Sequence, residues 1–104
     1  MIIEKRTYTL HPGCVPEYLR LYEQEGLAIQ EPILGNLIGY FSTEIGTQNE
    51  VMHLWGYDDF AARDRRRAEL MANPDWQAYL TKILPLIMTM ENAILRGANF
   101  SPIR

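Results

Sequence analysis

The chain predicts an α+β domain with the element order βαββαβ. Three observations carry that prediction. Four segments alternate along the chain with the period of a strand, the stretches between them switch to the 3.6-residue period of a helix, and Pro, Gly, Asn and Asp mark the changeovers.

The first strand runs from Ile2 to Leu10, with Ile2, Glu4, Arg6, Tyr8 and Leu10 on one face and Ile3, Lys5, Thr7 and Thr9 on the other. His11-Pro12-Gly13 breaks it. From Val15 the period changes: Val15, Tyr18, Leu19, Tyr22, Gly26 and Ile29 fall on one helix face, and Pro16 suits the first turn. Gly26 is a weak spot inside this helix, and its end is expected before Pro32, because a residue ahead of proline avoids the helical region.

Gly35-Asn36 supplies a turn into the second strand, Leu37 to Ile45, which sets Ile38, Tyr40, Ser42 and Glu44 against Leu37, Gly39, Phe41 and Thr43. The polar link Gly46-Thr47-Gln48-Asn49 makes this one arm of a hairpin whose return strand is Val51 to Tyr57. That return strand puts His53, Trp55 and Tyr57 on one face and Met52, Leu54 and Gly56 on the other.

Asp58 and Asp59 fit the cap and first turn of a helix reaching Met71 or Ala72, with Asp59–Arg63 and Arg65–Glu69 as i, i+4 pairs. Asn73-Pro74-Asp75 breaks this second helical region and starts its next piece, whose buried stripe is Trp76, Tyr79, Leu80 and Ile83. Pro85 stops it. Leu86 to Leu95 is the fourth strand, with Ile87, Thr89, Glu91, Ala93 and Leu95 set against Met88, Met90, Asn92 and Ile94.

This order is that of a ferredoxin-like fold, a four-stranded antiparallel sheet with its helices on one face. Residues 1–104 are read as one such domain, since 104 residues build one core and leave little surplus for a large enclosed cavity. Both sheet faces carry apolar or aromatic residues, Phe41 behind Tyr40 and Leu54 behind Trp55. A second copy is therefore expected to cover the bare face in a two-fold homodimer.

Composition excludes several classes. A net charge of −3 speaks against a general nucleic-acid binder, which needs a basic surface. The single cysteine, Cys14, cannot form an internal disulfide, so the expected compartment is the cytoplasm. The opening MIIEKR passes straight into charge without a signal-peptide core, and no apolar run approaches the ~20 residues that cross a bilayer, so no membrane insertion is expected.

The run WGYDDFAARDRRRAELMANPDWQAYL, preceded by a first strand with Arg6 and Tyr8 and a helix ending near Gln30-Glu31-Pro32, resembles the NIPSNAP family over nearly the whole chain. The resemblance implies a subunit of a dimeric α/β barrel built from ferredoxin-like domains. It implies no particular activity. The family has no agreed reaction, and the wider superfamily includes cofactor-free monooxygenases, haem-dependent enzymes and regulatory domains.

Candidate chemistry centres on His53, the one histidine on a strand, which shares its face with Trp55 and Tyr57. In an apolar pocket its imidazole can act as a general base, and the bland reading is a hydrogen-bonded structural histidine. Arg63, Arg66 and Arg67 share a helix face and can converge on a carboxylate or phosphate, or else make salt bridges to acids such as Glu4, Glu44 or Glu91. Arg6 and Tyr8 on the first strand and Tyr40 on the second are expected either to line a polar-ended pocket with Trp55 or to serve as interface residues; with Arg63 and Arg67 they make the candidate ligand-binding set. Core packing is the simpler role for Trp76, Tyr79, Met88 and Met90, and Cys14 has no base or second thiol beside it.

No metal, haem, phosphate-loop or nucleophile-elbow spacing is present, so no cofactor is expected. Three readings remain: a site for a small apolar or aromatic molecule, with a cofactor-free enzyme as its active version; a non-catalytic dimeric interaction module; and a haem or metal enzyme using His53.

Overall fold

The computed structural model describes residues 1–104. Its elements are β1 (Ile2–Leu10), α1 (Val15–Leu21), α2 (Leu27–Leu34), β2 (Leu37–Ser42), β3 (Glu50–Tyr57), α3 (Phe60–Ala72), α4 (Pro74–Ile83) and β4 (Ile87–Leu95). A π-helical turn, Tyr22–Gly26, joins α1 to α2, and a 3₁₀ turn, Leu84–Leu86, leads into β4. The strands form one antiparallel sheet in the order β2-β3-β1-β4. That is the ferredoxin-like arrangement.

Capping follows the sequence. Asp59 accepts a hydrogen bond from the Ala62 N–H, and Asn73, which closes α3, accepts from the Trp76 N–H to open α4. Asn73 thus caps α4 at the break before Pro74, and Pro74 itself has no N–H to satisfy.

Four expectations change. The helical region does not end before Pro32 but continues through it to Leu34, and stops at Gly35 with φ +94°. Pro32 sits on the exposed side, so the amide it cannot supply leaves the Ala28 carbonyl beside an open, solvent-facing trough, while burial of Gln30 and Leu34 holds the helix on course. β2 ends at Ser42 and not at Ile45, whose side chain is 94% exposed. An irregularity between Leu37 and Gly39 turns Leu37 to the same face as Tyr40, opposite Trp55. A second, between Thr9 and Leu10, brings Ile87 opposite Leu10 and onto the face of Met90, Asn92 and Ile94.

The core lies between the sheet and the helices, with Leu10, Tyr18, Leu34, Val51, Trp55, Leu70 and Tyr79 fully or almost fully buried. Each such side chain contributes roughly 1.5–3 kcal/mol of hydrophobic stabilisation. Gly26 is where the helices come closest: a Cβ there would meet the rings of Tyr79 and Tyr22 at 2.7 and 2.8 Å. The opposite sheet face, with Lys5, Thr7, Phe41, Met52, Leu54, Ala93 and Leu95, is covered by no helix. Phe41 is 53% exposed on it.

Candidate functional site

Strand register assembles the site. Tyr40, His53, Arg6 and Asn92 stand abreast on β2, β3, β1 and β4, all on the face that meets the helices. On either side of this row lie Trp55 opposite Glu4 and Val51 opposite Tyr8.

His53 is 1% exposed. The Tyr40 ring stacks on it at 4.5 Å, and Tyr8 meets it edge-on at 5.1 Å. The indole N–H of Trp55 donates to His53 Nδ1 at 2.7 Å. An indole can only donate, so Nδ1 must carry the lone pair and Nε2 the proton. That Nε2–H is buried and has no partner within the protein. Burial and the neighbouring Arg6 and Arg67 charges push the imidazole pKa down to about 3 against the opposing pull of Glu4, so His53 is neutral at physiological pH.

The inner cleft that His53 lines is about 30 Å³, walled by Tyr8, Tyr18, Tyr22, Tyr40 and Tyr79 among others. It has room for one oxygen-sized group. The Tyr79 hydroxyl, also without a partner, lines it as well. Tyr18 and Tyr40 share a hydrogen bond at 2.6 Å, and Tyr22 donates to Gln30 Oε1 at 2.7 Å. Burial raises the pKa of Tyr18, Tyr22, Tyr40 and Tyr79, so these four phenols stay protonated.

An outer cavity of about 250 Å³ adjoins it across Tyr8, Gln30, Trp76, Leu80 and Met90. Leu70, Met71 and Leu84 line the outer cavity, and Arg6 and Arg67 supply its charge.

Beside the cleft lies a charge cluster. Glu4 is fully buried, and its carboxylate accepts from Arg63 Nε and Nη2 at 3.2 and 2.9 Å, from Arg6 Nη1 at 3.2 Å and from Asn92 Nδ2 at 2.9 Å. Burial opposes the charge, but the Arg63 and Asn92 hydrogen bonds and the two guanidinium charges outweigh it and hold the pKa at about 2. Arg6 also donates from Nε to the Tyr8 hydroxyl at 2.9 Å.

The residues singled out from the sequence divide accordingly. Tyr8, Tyr40 and His53 line the inner cleft, and Arg6, Tyr8 and Arg67 the outer cavity. Trp55 lies behind the cleft and acts on it only through His53. Arg63 turns to Glu4, and Arg66 donates to the Ile33 carbonyl at the end of α2, so the three arginines of α3 do not converge. Arg63 also displaces the expected pair with Asp59, which is occupied as a cap. Sequence reasoning did not rank Glu4, Asn92, Gln30 or Tyr18 as site residues. The available signal was a lone carboxylate on the strand face that also carries Arg6 and Tyr8.

No group of three or more His, Cys, Asp or Glu is placed to hold a metal ion, and no helix is long and apolar enough to cross a membrane.

Comparison with known proteins agrees with this architecture. The chain is 37% identical over 93 residues to human Protein NipSnap homolog 3A, an alignment covering 88% of this chain but 37% of that protein. The chain thus spans little more than a third of this relative's length. The crystal structure of protein Atu4242 from Agrobacterium tumefaciens, a NIPSNAP family protein of unknown function, superposes with a TM-score of 0.98 at 47% identity over the whole of both chains. An antibiotic biosynthesis monooxygenase shares the fold alone, with a TM-score of 0.64 at 13% identity over 94% of this chain and 99% of that one. The NIPSNAP family model matches residues 3–102, and the chain therefore belongs to the NIPSNAP family.

Proposed function

We propose that the chain is a small-molecule-binding protein whose cleft between sheet and helices takes an apolar or aromatic compound with a hydrogen-bond-accepting end. The observation that carries this reading is the Nε2–H of His53, buried among aromatic rings, unpaired with any protein group, and facing space for one oxygen atom. A buried donor left unmet costs about 1–3 kcal/mol, and a ligand oxygen removes that cost on binding. The combined cavities, about 250 and 30 Å³, suit a compact ligand at the small end of the usual range.

In this reading His53 is a neutral donor and not a base, because its one lone pair is held by Trp55. Tyr8 and Tyr40 are walls, Arg6 and Arg67 form the charged outer end, and Arg63 is a positioning residue acting through Glu4. A neutral imidazole donor can polarise a carbonyl, so a cofactor-free enzyme would be the active version of the same site. Glu4, ionised down to about pH 2 and saturated with donors, is a poor proton acceptor for such a reaction. Binding is therefore the primary function.

The same reading makes the chain a homodimer that joins the uncovered sheet faces, where Phe41, Leu54 and Leu95 would leave water. Cys14 is a free thiol, which suits the reducing cytoplasm. Light scattering checks the assembly: a dimer that Leu54→Glu splits supports it, and a monomeric native protein overturns it.

The binding test is an acetophenone titration of the ¹⁵N-histidine-labelled protein, with Trp76 emission as a second readout. The expected result is a saturable shift of the His53 Nε2–H resonance, lost in His53→Phe. No change with acetophenone or its ring-substituted relatives would favour the dimeric interaction module instead.

A further inference from the structure

Resting on the ligand-site reading above, we propose that the ligand is an organic acid: its carboxylate sits against Arg67 and the free edge of Arg6, and a second, neutral oxygen at its far end accepts from His53.

The lining has a one-sided balance of donors and acceptors. No carboxylate lines either cavity. Gln30 has its oxygen occupied by the Tyr22 hydroxyl, which leaves its amide N–H groups to donate. The His53 lone pair is taken by Trp55, which leaves Nε2–H. Arg6 commits Nε to Tyr8 and Nη1 to Glu4 and keeps Nη2. Arg67, half-buried at the outer cavity, makes no hydrogen bond or ion pair with any protein group, in contrast to Arg63 and Arg66 beside it on α3. Hydroxyls apart, every uncommitted polar group facing the ligand is a donor. Such a lining matches an acceptor-rich molecule, and a neutral ligand would leave the Arg67 charge uncompensated.

Arg6 and Arg67 line the outer cavity, and the one buried carboxylate beside it, Glu4, is shared between Arg6 and Arg63 and does not reach Arg67 as an ion pair. Asp64 offsets part of Arg63 from the solvent side at 3.3 Å and does not reach the cavity. A net positive charge therefore remains at the outer cavity. Water there screens the interaction only in part, because Leu70, Met71, Leu84 and Trp76 line the same space.

Three probes separate the two contact points: 4-acetylbenzoate carries both, 4-acetylbenzamide only the neutral oxygens, and 4-ethylbenzoate only the acid. Calorimetric titration should rank 4-acetylbenzoate first, with the amide about tenfold weaker. Arg67→Met should lower affinity for 4-acetylbenzoate sharply and for the amide, whose carboxamide oxygen loses only a neutral hydrogen bond, much less, with Arg67→Lys in between. Added salt should weaken only the acids. Because Arg67 holds no protein partner, these variants keep the fold. Equal binding of acid and amide would overturn the acid assignment while leaving the pocket standing. Equal binding of 4-ethylbenzoate and 4-acetylbenzoate would overturn the His53 contact. Absence of binding by all three, and by acetophenone, would overturn both this inference and the site reading it rests on.

Discussion

The Trp55 indole donates to Nδ1 of His53 at 2.7 Å, two residues along the same face of β3. A donor-only partner thereby fixes a ring tautomer by chemistry alone. The consequence is directional: the histidine faces the cleft with a proton and never with a lone pair. Nitrogen NMR of the native protein should show one tautomer, with Nε2 protonated. In Trp55→Phe the restraint is lost, a tautomer mixture is expected, and stability should fall by about 1–3 kcal/mol from the lost bond and the smaller ring. A native protein protonated on Nδ1 would contradict the assignment.

Acid should destabilise the protein in two stages. His53 titrates near 6.5 when unfolded and near 3 when folded, so below pH 6.5 the unfolded chain takes up a proton that the folded one refuses. Stability then falls with decreasing pH, by at most about 1.4 kcal/mol per unit. Glu4 adds to the loss below its ordinary value of 4.5, because its folded-state carboxylate stays ionised to about pH 2. Urea melts between pH 7 and 5 should show the first stage in the native protein and a flatter line in His53→Phe.

Removing the Glu4 charge should be severe. Glu4→Gln leaves Arg6 without its counter-ion and Arg63 with only the exposed Asp64, the two arginine side chains being 15% and 20% exposed. A loss of about 3–5 kcal/mol is expected, as for other broken buried pairs. Chemical denaturation of Glu4→Gln and of Glu4→Gln with Arg63→Met checks the cause, since the double variant should recover part of the loss.

Gly26→Ala sets two effects against each other. Alanine is the better helix former by about 1 kcal/mol, but its methyl would enter the rings of Tyr79 and Tyr22 at under 3 Å. Ring displacement costs more than propensity returns, so the variant should melt lower than the native protein. A higher melting temperature would mean the rings yield freely.

The strands, both caps and the break at Pro74 were legible because each is set by residues close in sequence: alternation, an Asp or Asn at the right step, a proline. Pro32 misled for the same reason. Its local bias was overruled by burial of Leu34, a tertiary effect that a local pattern does not contain. The site was half legible. Face-sharing along β1 and β3 brought Arg6, Tyr8 and His53 together, but which arginine of α3 meets Glu4 depends on how the helix lies across the sheet, 59 residues away in sequence. Gln30 went unnoticed because a polar residue on a helix reads as solvated until its partner, the Tyr22 hydroxyl, is in place.

The Leu27 N–H reaches back five residues to the Tyr22 carbonyl, and this wider loop of backbone acts as a phase corrector. Tyr18, Tyr22, Gly26, Gln30 and Leu34, all buried, recur every four residues. In an unbroken α-helix each such step overshoots by about 40°, so the five would spiral about 160° around the rod and Leu34 would finish facing solvent. The wide turn winds part of that angle back. One helical stretch can then serve the inner cleft at its start and the end of the core at its finish. Deleting a single residue between Tyr22 and Gly26 would remove the extra residue that makes the turn wide, leaving an ordinary α-helix in which Tyr22 and Gln30, then seven residues apart, still share a face to within about 20°.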